Sequence, residues 1–205
     1  MKLPGLIMAL MVLASGCSSG PPPRIYLLNR PLDAIGSSTS VADDGLRLQL
    51  SPVLLPDYLD NTELLLRDGP HEITVSATGR WGERLSKGVT HALGAALVTR
   101  LPRSSVTLDP AVDHSYRQIA VDIDSFDLWA DGRCVLSAIW TISAGDAKAA
   151  SSNGRGVYQL PATSRLHRVS DADIVSAMSE ALGKLADSII LDTKNPMAAS
   201  VNVSK

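Results

Sequence analysis

The sequence predicts a single-domain α/β sandwich, in which a mixed, largely antiparallel sheet packs against two amphipathic helices at about residues 85–101 and 171–192. Three observations predict this fold class. Strand-like and helix-like segments follow one another in the order strands, helix, strands, helix, which is typical of a layered α/β domain. Apolar residues make up 45% and charged residues 20% of the 205 residues, as in globular proteins. The chain shows no internal repeat and no linker long enough to divide it.

Residues 1–16 have the layout of a secretory signal peptide. Their apolar run, residues 6–14, is shorter than the roughly 20 residues needed to span a bilayer. Small residues lead to Cys17, and the sequence LASGC resembles a bacterial lipobox, although Ala14 stands where Leu is usual. We therefore expect cleavage before Cys17, with a diacylglycerol and an N-acyl chain on this residue. The alternative is an ordinary secretory signal with an incidental cysteine.

Residues 17–24 are expected to tether the domain to the membrane, because their three prolines favour an extended conformation. Ser18 follows the cysteine, where Asp is the usual signal for inner-membrane retention in enteric-type bacteria. In a Gram-negative cell the expected location is therefore the outer membrane, with the domain facing the periplasm. Acylation of Cys17 would leave Cys134 without a partner, so no disulfide is expected.

Strand patterns follow the tether. Residues 25–28 form a brief apolar run, and a loop rich in Ser, Asp and Gly is expected at 31–45. Residues 46–55 alternate between apolar and polar side chains, which predicts a half-buried strand. Residues 64–67 and 72–77 flank the turn sequence Asp-Gly-Pro, which predicts a hairpin.

The pattern then changes to helical spacing over residues 85–101, where apolar residues recur every four positions until Pro102. A short strand is expected at 106–108. Residues 118–128 and 134–143 alternate on either side of Asp131-Gly132, a tight-turn pair that predicts a hairpin. A third antiparallel strand is expected at 155–160.

Ser170 begins the second helix, and Asp173 lies three residues later, close to a capping box. Apolar residues at helical spacing then predict a buried stripe that continues to about residue 192. Residues 193–205 show no periodicity and are expected to form a flexible tail.

The composition argues against several function classes. A net charge of −2 and a pI near 6.1 argue against a nucleic-acid binder. The four histidines lack metal-binding spacings, no G-x-S-x-G occurs, and Gly154-Arg155-Gly156 lacks the third glycine and the following helix of a phosphate loop. We therefore expect no enzyme activity, no metal and no cofactor other than the acyl chains. Cys134 is expected to be a buried thiol rather than a nucleophile.

Three segments together resemble a known family. They are Ile25-Tyr-Leu-Leu28, Pro56-Asp-Tyr-Leu-Asp60 and Arg80-Trp-Gly-Glu-Arg-Leu85. In this order they resemble the paraquat-inducible protein C (PqiC) family, the auxiliary lipoproteins of ABC-type intermembrane transport. Gly82 stands where the family commonly has Ala, and Ile25 where a Tyr is frequent. The resemblance extends from Ile25 to about Leu191, which places the family domain at residues 25–192.

The resemblance implies an outer-membrane lipoprotein that works with a membrane-anchored MCE-domain protein. Such proteins form channels across the periplasm for phospholipid or other hydrophobic molecules. The lipoprotein would be the docking component at the outer membrane, and it would assemble as a homo-oligomer around the channel end.

The candidate partner-binding residues come from the second and third segments. The loop places an apolar tip in a polar frame, which is the composition of a contact patch. The candidate residues are Pro56, Asp57, Tyr58, Leu59, Asp60, Arg80 and Trp81. In the alternative interpretation Tyr58 and Leu59 fold onto the core, Trp81 packs on Leu85 as a hydrophobic staple, and Arg80 is simply solvated.

Two other functions stay open at this point. One is a stand-alone structural envelope lipoprotein without a transport partner. The other is a periplasmic hydrolase, which would need a Ser or Cys nucleophile with a base.

Overall fold

The computed structural model describes residues 22–28, 46–102, 104–109, 116–129, 131–143, 152–160 and 170–194. These ranges contain eight strands and two helices. In chain order they are β1 (Arg24–Tyr26), β2 (Arg47–Leu50), β3 (Glu63–Arg67), β4 (Ile73–Trp81), α1 (Leu85–Arg100), β5 (Ser105–Thr107), β6 (Arg117–Leu128), β7 (Cys134–Ser143), β8 (Ser152–Leu160) and α2 (Asp171–Lys194). The predicted signal peptide, the lipidation site Cys17, the loop at 31–45 and the tail from residue 195 onward lie outside the described residues.

The strands form two mixed sheets, and the predicted α/β fold with two helices is confirmed. The smaller sheet has the order β1-β4-β3, with β1 parallel and β3 antiparallel to β4. The larger sheet has the order β5-β2-β6-β7-β8, in which β5, β2 and β6 run parallel and the remaining pairs are antiparallel. The division into two sheets was not predicted, because crossover connections decide which strands pair.

A single hydrophobic cluster joins both sheets and both helices. Every second residue of β7 is buried, so one face of this strand lies in the core. Helix α2 packs across β7 and β8, and α1 packs beside α2. No helix in these ranges is both long enough and apolar enough to cross a membrane.

The two predicted hairpins are present. In the β6–β7 turn, Gly132 has a φ of 87°, a left-handed conformation that glycine adopts without strain. The carboxylate of Asp131 accepts the backbone N–H of Arg133 at 3.0 Å and so closes the turn. In the β3–β4 hairpin, the backbone N–H of Asp68 donates to Glu72 across the predicted turn.

The prediction of a half-buried strand at 46–55 is wrong both in the length of the strand and in which of its side chains are buried. Only Arg47–Leu50 is a strand, and Leu48, Gln49 and Leu50 are all buried. This strand lies between β5 and β6, inside the sheet rather than at its edge. Pro52 has no N–H to continue the ladder, and Leu54 returns to it only as an isolated bridge to Asp122.

The helix boundaries agree closely with the sequence pattern. At the start of α2 the Oγ of Ser170 accepts the N–H of Asp173, whose carboxylate accepts the N–H of Ser170, so the capping box is complete. Helix α2 continues to Lys194, two residues into the segment predicted to be a flexible tail. Strand β8 begins at Ser152, three residues before its predicted start.

Candidate functional site

The first and third of the segments that carry the family resemblance lie side by side. Strand β1 pairs with the end of β4 in parallel register, so that Ile25 is opposite Arg80 and Tyr26 is opposite Trp81. The N–H of Gly82 then donates to the carbonyl of Tyr26 at 2.8 Å. The strand after the tether is therefore fixed directly against the start of α1.

The second segment joins them at the same place. The N–H of Trp81 donates to Thr62 at 2.9 Å, and the N–H of Leu85 donates to Asn61 at 3.1 Å. Three segments that are far apart in the sequence thus meet at the N-terminus of α1. We call this cluster, residues 25–28, 56–62 and 80–86, the motif junction.

Asp60 connects the loop to the helix. Its carboxylate accepts the N–H of Ser86 at 3.1 Å and forms an ion pair with Arg84 at 2.9 Å. Arg84 occupies the N-cap position and makes no side-chain cap hydrogen bond, so the capping carboxylate comes from the loop instead. Hydrogen bonds from Ser86, first from its side chain and then from its backbone, and the nearby Arg84 lower the pKa of Asp60 below its ordinary 3.8.

The loop itself is a compact turn that separates its two apolar residues. The carbonyl of Pro56 accepts the N–H groups of Leu59 and Asp60, and the side chain of Asn61 donates to the carbonyl of Tyr58. Leu59 is only 4% exposed and lies in the core, whereas Tyr58 is 40% exposed. Leu59 therefore packs in the core, as in the alternative interpretation of the sequence. Tyr58 instead lies at the surface beside the exposed Asp57.

Tyr58 leads from the motif junction to a second polar cluster. Its hydroxyl donates to Asp127 at 3.3 Å, and Asp127 also forms an ion pair with Arg67 at 2.9 Å. Burial, and then the charge of Asp127, raise the pKa of Tyr58, so its hydroxyl stays protonated near neutral pH. The guanidinium of Arg67 lies 6.0 Å from the ring of Trp129.

Arg133 stacks on the same Trp129 ring from 4.5 Å and forms an ion pair with Asp131 at 2.7 Å. We call Tyr58, Arg67, Asp127, Trp129 and Arg133 the aromatic rim. The sequence reasoning missed Trp129 and Arg133, although a tryptophan within four residues of an arginine at a tight turn is an available signal for such a surface.

Arg80 and Trp81 have different environments. Trp81 is 5% exposed and lines a small internal cleft with Leu59 and Leu85, as expected of a core residue. Arg80 is partly exposed and pairs with Glu63 of the neighbouring strand at 3.4 Å. Partner binding remains a prediction for all seven candidate residues, and the burial of Leu59 and Trp81 leaves only the other five with side chains at or near the surface.

The residues that the sequence analysis considered for catalysis or phosphate binding lie in the core or within a strand. Cys134 is fully buried, and burial, followed by the charges of Asp127 and Glu180, raises the pKa of its thiol to about 12. A thiol with this pKa is protonated near neutral pH, and the thiolate is the reactive form of cysteine. Residues 154–156 belong to β8 and form no phosphate loop. Within the described ranges, no three His, Cys, Asp or Glu residues are grouped so that they could hold a metal.

The described part of the chain is thus a small mixed α/β domain, in which strand β1, a capping loop and the start of α1 are hydrogen-bonded to one another. The chain matches the family model of the ABC-type transport auxiliary lipoprotein component over residues 26–190. It therefore belongs to this family, and the resemblance to PqiC-like proteins is confirmed. The family indicates a transport-associated component with a membrane-anchored location in the envelope.

Two solved structures share the fold. One is a crystal structure of an uncharacterized protein, with a TM-score of 0.68 and 16% identity over 84% of this chain and 99% of that chain. The other is a Xanthomonas campestris protein of family DUF330, with a TM-score of 0.58 and 12% identity over 82% of this chain and 90% of that chain. At these identities they show the fold alone. No curated protein matches the chain significantly.

Proposed function

We propose that this protein is an outer-membrane lipoprotein subunit of an MCE-type intermembrane transport system, where it acts as a non-catalytic docking component. The observation that carries the proposal is the family match over residues 26–190. In this proposal Cys17 carries the acyl chains, the domain faces the periplasm, and the partner carries phospholipid or another hydrophobic molecule. The protein assembles as a homo-oligomer around the end of the partner's channel.

The surface we assign to docking combines the exposed part of the loop with the aromatic rim. Tyr, Trp and Arg are the residue types enriched at the centres of protein interfaces. Hydrogen bonds and ion pairs already fix Tyr58, Arg67 and Arg133 in the free protein. A surface that is ordered before binding loses less conformational entropy when a partner docks.

Crosslinking in intact cells tests the docking proposal. A photo-reactive residue replaces Asp57 in the exposed loop, and a tag after Lys205 allows purification. The control carries the same photo-reactive residue at Val157 on β8, which is 65% exposed. We expect the material crosslinked at position 57 to contain an MCE-domain protein and self-crosslinked oligomers. The material crosslinked at position 157 should contain no MCE-domain protein.

Substitutions in the loop separate docking from folding. Tyr58→Ala changes the surface and is expected to reduce capture of the partner, with an unchanged circular dichroism spectrum. Leu59→Ala would instead leave a cavity in the core, so a reduced capture by this variant would report on stability. If the crosslinking reaction works efficiently but only the monomer is recovered, the transport role is refuted and the stand-alone envelope lipoprotein is favoured.

A further inference from the structure

Strand β1, next to the tether, and the residue that follows it after Tyr26 present two large apolar side chains to solvent. Ile25 is 64% exposed and Leu27 is 56% exposed, whereas Leu28 is 3% exposed and lies in the core. A Cβ atom on Gly82 would lie 2.9 Å from Leu27 and 3.1 Å from Ile25. The two side chains therefore cover the same glycine and form one patch, which we call the β1 patch.

The covalent distance to the acylation site limits where this patch can be. Ile25 lies eight residues after Cys17, and residues 21–23 are prolines. A fully extended chain spans at most about 3.6 Å per residue, so the tether can hold Ile25 at most about 29 Å from Cys17. The headgroup region of a bilayer is itself several ångströms deep. The β1 patch is thus always within reach of the membrane surface when Cys17 is acylated.

The charge beside the patch fits a lipid surface. Arg24 is exposed and precedes Ile25, and Arg80, which is paired with Glu63, lies opposite Ile25 in the parallel register. Arginine next to exposed aliphatic side chains matches the interface between phosphate headgroups and acyl chains. Other strongly exposed apolar residues, Leu54, Val157 and Leu191, belong to separate parts of the fold.

We propose that Ile25 and Leu27 insert into the headgroup region of the phospholipid bilayer and so fix the orientation of the domain relative to the membrane. This inference rests on the acylation of Cys17 that the proposed function requires. The acyl chains supply the anchoring, and the β1 patch adds a second, weaker contact that stops the domain from turning freely on its tether. The rest of the motif junction, which is hydrogen-bonded to β1 through Gly82 and Tyr26, then has a fixed position above the membrane.

Fluorescence quenching in vesicles tests the insertion. The acylated Leu27→Cys protein is labelled with the environment-sensitive dye NBD and reconstituted into phosphatidylethanolamine–phosphatidylglycerol vesicles. Cys134 does not compete for the label because it is fully buried. The matched control carries the label on Val157→Cys, since Val157 is 65% exposed. We expect lipids with a nitroxide near the headgroup to quench the label at position 27 at least threefold more strongly than the label at 157.

Because the dye at position 27 replaces one of the two side chains of the β1 patch, a second set of variants carries the dye outside the patch. With the label on Arg24→Cys, the double substitution Ile25→Ser and Leu27→Ser is expected to reduce the quenching to the level seen at position 157. Leu54→Ser and Val157→Ser, two equally exposed residues elsewhere, are expected to leave it unchanged.

Flotation of the vesicles reports anchoring separately. Protein that floats with equal quenching at positions 27 and 157 overturns the insertion and leaves the proposed function intact. A blue-shifted label at position 27 that nitroxide lipids do not quench overturns it as well, because a second copy of the chain then covers the patch. Protein that does not float refutes the acyl anchor, and the inference fails with it.

Discussion

Asp60 shows how a single side chain outside a helix can determine where the helix begins. The N-cap residue of α1 is Arg84, a residue type that cannot accept the free N–H groups of the first turn. Asp60 supplies the acceptor from 26 residues earlier in the chain, at 3.1 Å from the N–H of Ser86. Its negative charge also lies at the positive end of the helix dipole. Asp60 thereby holds the loop and the helix start in one arrangement.

The substitution Asp60→Asn removes this charge and keeps the size of the side chain. We expect a loss of about 1 kcal/mol in the free energy of unfolding at pH 7, because Asn can still accept the N–H of Ser86 but the charge that faces the helix dipole and pairs with the exposed Arg84 is removed. Urea unfolding of the mature chain with Cys17→Ser measures the loss. The control is Asp57→Asn in the same loop, an exposed position where a change of at most about 0.5 kcal/mol is expected.

The difference in stability between the parent protein and Asp60→Asn is also expected to depend on pH. Since the pKa of Asp60 in the folded protein lies below its ordinary 3.8, its ionised form stabilises the fold above about pH 3.8. This stabilisation is lost as the pH falls through the folded pKa. The difference in stability between the parent protein and Asp60→Asn should therefore be largest near pH 7 and shrink as the pH falls below 3.8. A difference that stays constant into this acidic range would contradict the capping role.

At the scale of elements, the packing of β8 depends on the ring of Trp140, which covers Gly154 and which we call the aromatic cover. Trp140 of β7 pairs with Gly154, and a Cβ atom on this glycine would overlap the indole ring. The indole N–H of Trp140 donates to Asp192 of α2 at 2.9 Å. Glycine is thus required at position 154 for the ring to lie across the strand and reach the helix. The cover joins β7, β8 and α2 into one unit.

The substitution Gly154→Ala should disrupt this unit. We expect a loss of about 3 kcal/mol in the free energy of unfolding, because the added methyl group displaces the Trp140 ring from a close-packed site and breaks its hydrogen bond to Asp192. Urea unfolding followed by circular dichroism measures the loss. Gly69→Ala in the β3–β4 turn is the matched control, since the nearest atom to its new Cβ lies 4.0 Å away. Equal stability of the two variants would refute the role of the cover.

Local pattern was sufficient for most of these elements and insufficient for their assembly. The hairpins and both helices follow from alternation, helical spacing and turn residues within about 25 positions. By contrast, β2 pairs with β6 about 70 positions later, and nothing in its own four residues indicates parallel neighbours on both sides. The burial of Gln49 follows from this central position.

The candidate site was predictable in its parts but not in its geometry. The segments around Tyr58 and Trp81 stand out by composition, and the structure brings them together at the motif junction. Which of their side chains point inward depends on contacts with distant strands, so the burial of Leu59 and the exposure of Tyr58 could not be separated from sequence. Trp129 could be singled out by its spacing from Arg133, but its position near the loop depends on the hydrogen bond between Tyr58 and Asp127, 69 residues apart.

At the scale of the whole molecule, the two sheets share one core. Trp81 ends a strand of the smaller sheet and is 5% exposed, while Trp140 lies within the larger sheet and is 3% exposed. Phe126 of β6 and Met178 of α2 line the same small cleft as Trp81, so the larger sheet and α2 both pack against the smaller sheet. Because each part covers apolar surface of the others, we expect the domain to unfold in a single cooperative step.

Two single-tryptophan proteins test this cooperativity. One retains Trp81 and the other retains Trp140, with the remaining tryptophans replaced by Phe. In each protein we expect the urea midpoint of tryptophan fluorescence to coincide with the midpoint of the far-ultraviolet circular dichroism. The comparison is made within each protein, since a Trp→Phe change in the core itself lowers stability. A Trp81 transition at lower urea than the loss of helical signal would show that the smaller sheet unfolds by itself, and residues 25–192 would then comprise two units rather than one domain.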